Sequence, residues 1–253
     1  MAAVSPRIAQ RRLPNSTVTG NVTVPTGPHG LQGGYGGGLS LSGSVTLLSD
    51  TISGNQCIWD GGGILAGDTV VITNCILAGN GSEAHADTAD LEVLVESGGY
   101  NLVGVAPDGA GLGENDLSGT ADAPLDPKLG PLQDNGGLTF TMALLPGSPA
   151  LDQGISAGLG TDQTGAPRTV DLSNIMDASG GDGTDIGAVE EPLTIRTFAN
   201  ISTRLSVQTG DDVPIAGFII TGTEAKTVIV KALAHRLPVM GALADPILEL
   251  AWS

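Results

Sequence analysis

The stretch GGGLSLSGSVTLLSDTISGN at residues 36–55 returns at residues 61–80 as GGGILAGDTVVITNCILAGN, equal in length and 25 residues later. The two align without a gap: Gly36, Gly37, Gly38, Val45, Gly54 and Asn55 meet Gly61, Gly62, Gly63, Val70, Gly79 and Asn80. Between these identities Leu39 faces Ile64, Leu47 faces Ile72 and Ile52 faces Leu77. A third, partial copy, NSTVTGN at 15–21, matches SDTISGN at 49–55. Its spacing is 34, because 22–38 is nine residues longer than 56–63. A period of this size is the mark of a solenoid or propeller, here with one loop insertion.

Within each copy the residues alternate as in strands. Val45 and Leu47 point one way, Thr46 and Leu48 the other, and Ser49-Asp50 breaks the run before Ile52. Runs of about five such residues between turn signals are short strands, and no window of about 11–18 residues carries a helical stripe. A unit of two or three short strands cannot bury its apolar face alone, so it stacks on its neighbours. Coiling the units into a right-handed parallel β-helix buries the inward residues and sets rungs roughly 4.8 Å apart. The expected architecture is all-β: a solenoid of about five rungs from residue 15 to about 150, with 36–55 directly under 61–80. Asn21, Asn55 and Asn80 then line one corner, where asparagine tolerates a left-handed turn and its amide can bond along the stack. Glycine at 39 residues and aromatics at 3% suit a turn-rich β fold with a narrow aliphatic interior.

Charge is unevenly placed. Residues 1–14 hold three arginines and no acid, whereas 15–192 hold 22 acids against only Lys128 and Arg168. Residues 193–253 hold five of each sign. So acidic a surface repels phosphate backbones and polyanionic polysaccharides, which disfavours nucleic acid as a partner and pectin or alginate as a substrate. It attracts Ca²⁺, whose hard oxygen ligands the segment supplies in excess; otherwise the acids serve solubility. Cys57 and Cys75, the only cysteines, do not fall on stacked positions, and no disulfide is expected between them. No segment reaches transmembrane length. The opening MAAVSPRIAQRRLP lacks the apolar core of a signal peptide and runs straight into a repeat already under way, as an internal piece of a longer chain would.

Beyond residue 98 the text changes. GYNLVG (99–104), DPKLGPLQDNGGLTFTMALLPGSPALDQG (126–154), TDQTGAPR (161–168) and DIGAVE (185–190) follow in that order. The series resembles the closing segment of secreted bacterial right-handed parallel β-helix proteins of the choice-of-anchor Q family. The likeness spans about 15–191 and implies an extracellular or cell-surface protein with a structural, adhesive or ligand-binding role. Asp152, Asp162, Arg168 and Asp185 match its motif positions, which implies a carboxylate–guanidinium cluster closing the solenoid. After a boundary at Pro192, residues 193–253 resemble part of a β-rich repeat module of very large secreted bacterial proteins. The matching text is ANISTRLSVQTGDDVPIAGFIITG, KTVIVKAL and GALADPILEL, with LAHRL (233–237) departing from the usual pattern. Strands at 213–221, 226–232 and 247–251 would either dock on the β-helix or pair two chains into a homodimer, since two or three strands rarely stand alone.

Three groups of residues are candidates for chemistry. In DLSNIMDASGGDGTDIG (171–187), Asp171, Asp177, Asp182 and Asp185 sit among glycines at the irregular spacing of a calcium loop, or of an ordinary solvated acidic loop. In GSEAHADTAD (81–90), Glu83, His85, Asp87 and Asp90 offer one histidine with carboxylates, either a metal site or a solvated loop. Tyr35 and Trp59 each precede a glycine triplet on adjoining rungs. With Tyr100 they are the aromatics that could stack a sugar ring, or simply cover a corner. The leading expectation is a non-catalytic structural or binding protein. The rival is a calcium-dependent hydrolase or lyase acting on a neutral glycan or a small ester or lactone.

Overall fold

The computed structural model describes residues 11–26 and 32–192. The chain divides into two compact units, Met1–Ile195 and Arg196–Ser253. The second, with the C-terminal strands and the dimer expected of it, lies outside the described residues.

The 25-residue period is the rung of a parallel β-helix. In one face Arg11–Pro14, Val45–Leu48, Val70–Thr73 and Val95–Ser97 pair in parallel, with Val45 beside Val70 and Leu47 beside Ile72. A second face stacks Thr17–Thr19, Thr51–Ser53, Ile76–Leu77, Leu102–Val103 and Leu117–Ser118. A third stacks Leu39–Leu41, Ile64–Ala66 and Leu91–Glu92. The offset of 34 is real too: Thr17 pairs with Thr51, and the extra residues hold a small antiparallel pair, Pro25–Thr26 with Gln32–Gly33. Among the described residues the parallel ladder runs from Arg11 to Ser118, short of the expected 150. Six prolines fall between 124 and 167, and proline cannot donate to a ladder.

Inside the coil lie Val45, Leu47, Ile52, Ile64, Val70, Ile72, Leu77, Leu91 and Val103, nearly all sealed from solvent. Each side chain so buried stabilises the fold by about 1.5–3 kcal/mol. The second face is buried on both sides. Ile52, Leu77 and Val103 point into the coil, while Ile76, Ala78 and Leu102 point out against Leu144, Ala150, Leu151 and Ile186. The segment after the ladder therefore lies along the flank of the stack rather than across its end. Hydrogen bonds run from it to successive rungs: Asn15 Nδ2 to Thr161 O (2.7 Å), Ala188 N to Thr51 Oγ1 (2.9 Å) and Asn74 Nδ2 to Asp185 O (3.0 Å).

The expected asparagine corner is a one-way amide ladder. Asn21 donates its backbone N–H and its amide to Asn55 Oδ1 at 3.1 and 2.9 Å, and Asn55 does the same to Asn80 Oδ1 at 3.0 and 2.9 Å. Asn80 passes both donors to Asp90 Oδ1 at 2.9 and 2.8 Å, and Asp90 Oδ2 accepts Val105 N at 2.7 Å. The left-handed residues are not these asparagines, as expected, but the glycines before them: Gly20, Gly54 and Gly79 all have φ of 72°. The glycine triplets are required by close approach. A Cβ on Gly37 would lie 2.5 Å from Gly62 O, and one on Gly38 2.9 Å from the Asn55 amide nitrogen.

A second corner repeats the device. Here the left-handed residues are Asn15, Ser49, Asn74 and Tyr100, and the residues after them form the column. Ser16 N donates to Asp50 Oδ1 (2.8 Å), Cys75 N to Asn101 Oδ1 (3.0 Å), and Asn101 N and Nδ2 to Asp116 Oδ1 (2.8 and 2.9 Å). Cys57 and Cys75 are buried free thiols.

Two expectations follow. Asn55→Ala orphans the donors of Asn21 below and the acceptor of Asn80 above, and each buried polar group left unpaired costs about 1–3 kcal/mol. We expect a loss of about 2–4 kcal/mol in urea unfolding, against a smaller loss for Asn21→Ala at the exposed end; equal losses would refute a ladder. The second concerns pH. Burial pushes Asp50 up to about 8 and Asp90 up to about 6, whereas an exposed aspartate titrates near about 4. The folded chain thus keeps protons that the unfolded chain has already released. Their contribution to stability is complete below about pH 4 and is lost as pH rises through these two values. Tm should fall between about pH 5 and pH 8; a level or rising Tm would mean both groups are charged in the fold.

Candidate functional site

The motif acids of the flank segment form a relay in which each backbone N–H donates to the carboxylate of the next member. Leu172 N donates to Asp152, at 3.1 Å to Oδ2, and Asp152 N donates to Asp185 Oδ1 at 2.8 Å. Asp185 N donates to Glu190 Oε2 at 3.1 Å, and Glu190 N to Asp162 Oδ2 at 3.0 Å. The second oxygen of each of the last three acids is also taken: Asp185 Oδ2 by Glu191 N (2.7 Å), Glu190 Oε1 by Val170 N (2.9 Å), Asp162 Oδ1 by Thr164 N (2.9 Å) and Ala166 N (3.0 Å). Glu190 belongs to this set and was not singled out from the sequence, although it closes the DIGAVE motif. Burial raises Asp152 and Asp185 to about 6 and Glu190 to about 8, so this relay adds to the pH response of the corners.

Arg168 lies among them, 1% exposed. Burial lowers its pKa, while Glu190, Asp162 and Asp185 pull the other way. Its Nη2 donates to the carbonyls of Gly187 and Asp185, whereas Nε and Nη1 have no protein partner. The guanidinium thus neutralises the acids at a distance, and among the described residues no carboxylate pairs with it directly. Backbone donors shape this cluster.

The loop 171–183 brings together part of the expected metal set. Asp171 and Asp177 converge on Asp152, and one oxygen of each lies within 4.8 Å of the others. Asp152 is buried and the other two are exposed. Asp152 is held by a left-handed backbone (φ 53°) and by the Leu172 N–H bond. The loop is tied down by Ala178 N to Asp152 O (3.1 Å), Gln153 Nε2 to Met176 O (2.7 Å) and Tyr100 Oη to Ser179 O (3.0 Å). Asp182 and Asp185 stand apart. Asp182 accepts Ser156 N on both oxygens and Asp185 is used up in the relay. Three carboxylates this close repel one another, and the trio could hold a metal ion.

Of the aromatic candidates, Tyr35 and Trp59 form a pair with ring centroids 6.4 Å apart and planes tilted by 32°. They are 48% and 37% exposed. Tyr100 is buried beneath the 171–183 loop and takes no part. In the 81–90 segment Asp90 turns inward to end the asparagine ladder, and Asp87 lies on an exposed 3-10 turn, Ala86–Thr88. Glu83 is exposed. His85 Nδ1 meets Asp60 Oδ1 at 2.5 Å, an ion pair if the ring is protonated. Asp60 went unnoticed in the sequence, yet it lies 25 residues before His85, one period of the repeat. Among the described residues no helix is long and apolar enough to cross a membrane.

Comparison of the chain with protein-family models, with curated proteins and with solved structures finds no match.

Proposed function

We propose that this is an extracellular or cell-surface β-helix of the choice-of-anchor Q kind, structural or adhesive in role and stabilised by calcium. One observation carries the reading. The motif residues Asp152, Asp162, Arg168 and Asp185 are all buried and spend their polar atoms largely on backbone groups of their own segment. Such residues hold the flank segment in its shape, with their polar groups turned inward and away from any substrate. Calcium fits the Asp152, Asp171 and Asp177 trio because its donors are hard carboxylate oxygens that one ion can bridge. The excess of acids over bases in 15–192 favours any divalent cation electrostatically.

Calorimetry with Ca²⁺ against EDTA tests the calcium. A ligand that binds only the folded state at a hundredfold excess over Kd adds about 2.7 kcal/mol, so Tm should rise. Asp177→Asn should abolish the rise and Asp182→Asn should leave it. The rise should also shrink below about pH 6, where Asp152 takes up its proton. An unchanged Tm in millimolar calcium, or equal loss in both variants, would leave the trio as a solvated loop.

The proposed assembly is a homodimer through 193–253, with Ile219, Val228, Val230 and Leu248 as its apolar contacts. That module carries balanced charge, whereas two acidic solenoids repel. Light scattering over a range of concentrations should give twice the chain mass for the full chain and one chain mass for residues 1–191. A full chain that stays monomeric throughout would defeat the dimer.

A further inference from the structure

Three side chains one period apart occupy a single corner column: the exposed Tyr35 and His85 and, between them, the half-buried Asp60. The backbone stacks there rung on rung. Trp59 N donates to Gly34 O at 3.0 Å, Gly36 N to Asp60 O at 3.0 Å, and Ala84 N to Ile58 O at 2.9 Å. Successive rungs rise about 4.8 Å, so Tyr35 and His85 lie about 10 Å apart along the column, with Asp60 between them and Trp59 against Tyr35.

The polar half of this column is built rather than scattered. Asp60 Oδ1 takes His85 Nδ1 at 2.5 Å and Thr88 Oγ1 at 3.1 Å, which fixes the imidazole from one side. Among the described residues Nε2 has no protein partner, and the His85 side chain is 54% exposed. Ser82 Oγ bonds the Trp59 carbonyl and accepts His85 N at 3.1 Å, which ties the indole-bearing turn to the histidine-bearing one. Glu92 stands by the same group: burial raises its pKa first, then the charges of Asp60 and Asp87. The column thus offers an apolar aromatic face at one end, and an imidazole with carboxylate acceptors at the other.

We propose that this column is a carbohydrate-binding site for a neutral glycan, with one sugar ring stacked on Tyr35 and Trp59 and the next hydrogen-bonded by His85 and Asp60. Aromatic rings take the C–H face of a sugar, and fixed polar groups at the edge take its hydroxyls. Asp60, Asp87 and Glu92 repel uronates and sulfated sugars, so the ligand carries no negative charge. The about 10 Å of the column accommodates two linked rings. The site shares no residue with the calcium trio and does not depend on it.

The test uses the full chain on immobilised glucan, mannan, galactan and xylan, with polygalacturonate as the anionic control, all in EDTA. We expect binding to at least one neutral polymer and none to polygalacturonate. Trp59→Ala, Tyr35→Ala and His85→Ala should each weaken that binding by about tenfold, the order expected from losing one aromatic or charge-assisted contact. Asp68→Asn, away from the column, should not. Circular dichroism and Tm identify any variant that fails to fold, and for such a variant the milder Trp59→Leu or His85→Gln replaces it. Failure to bind every neutral polymer overturns the proposal, as does binding that survives both Trp59→Ala and His85→Ala. Since EDTA is present throughout, neither result bears on the calcium reading.

Discussion

A solenoid corner must turn the chain while leaving no buried amide unpaired, and that constraint governs this molecule. Its solution is directional. Each asparagine donates upward with both its backbone and side-chain N–H and accepts from below with one oxygen. Such a ladder propagates, but it cannot end on another asparagine, since the side-chain amide of the last one would bring donors with no acceptor above them. Where the next rung gives no acceptor, the chain places an aspartate: Asp90 above Asn80, Asp116 above Asn101, and Asp50 where Cys75 occupies the following level. Carboxylates take bonds on both oxygens, as Asp90 does from Asn80 and Val105. At Asp50 and Asp90 the cost is a buried acid, which burial drives toward its protonated form.

The flank segment applies the same logic without strands. Its run of prolines and glycines forbids a ladder, so carboxylates receive the backbone N–H groups that strand neighbours would otherwise take. The relay from Leu172 through Asp152, Asp185 and Glu190 to Asp162 is a side-chain substitute for a sheet. Four acids in one place need a positive charge, and Arg168 supplies it from within. Carboxylates already filled by N–H donors have little need of direct guanidinium contact, and among the described residues none pairs with Arg168. This segment also covers Ile76 and Leu102, so the second face is buried on both sides where a lone β-helix would expose one.

Much of the coil was legible because its register is written in the sequence. Val45 over Val70 and Thr17 over Thr51 follow from counting 25 and 34. At the asparagine corner the left-handed role falls to the glycine before each asparagine, whereas at the second corner Asn15 and Asn74 take it themselves. The flank was far less legible. No period governs 119–192, and which acids would meet was set by long-range folding: Asp152 joins Asp171 and Asp177, while Asp182 and Asp185 go elsewhere. Asp60 is an instructive omission. The same count of 25 that pairs the strands also places it under His85.

That omission points to how such a fold acquires binding surfaces. A core position is constrained by its neighbours above and below, as the close approach over Gly37 and Gly38 makes plain. An outward corner position carries no such demand, so tyrosine, aspartate and histidine can succeed one another at one repeat position without disturbing the ladder beneath. The stack then sets their spacing, about 4.8 Å per rung, and its stiffness holds them there without a dedicated framework. Turns held between hydrogen-bonded rungs lose little freedom on binding, which favours affinity through preorganisation. The ladder that solves the folding problem on the inside thereby fixes the geometry of the surface on the outside.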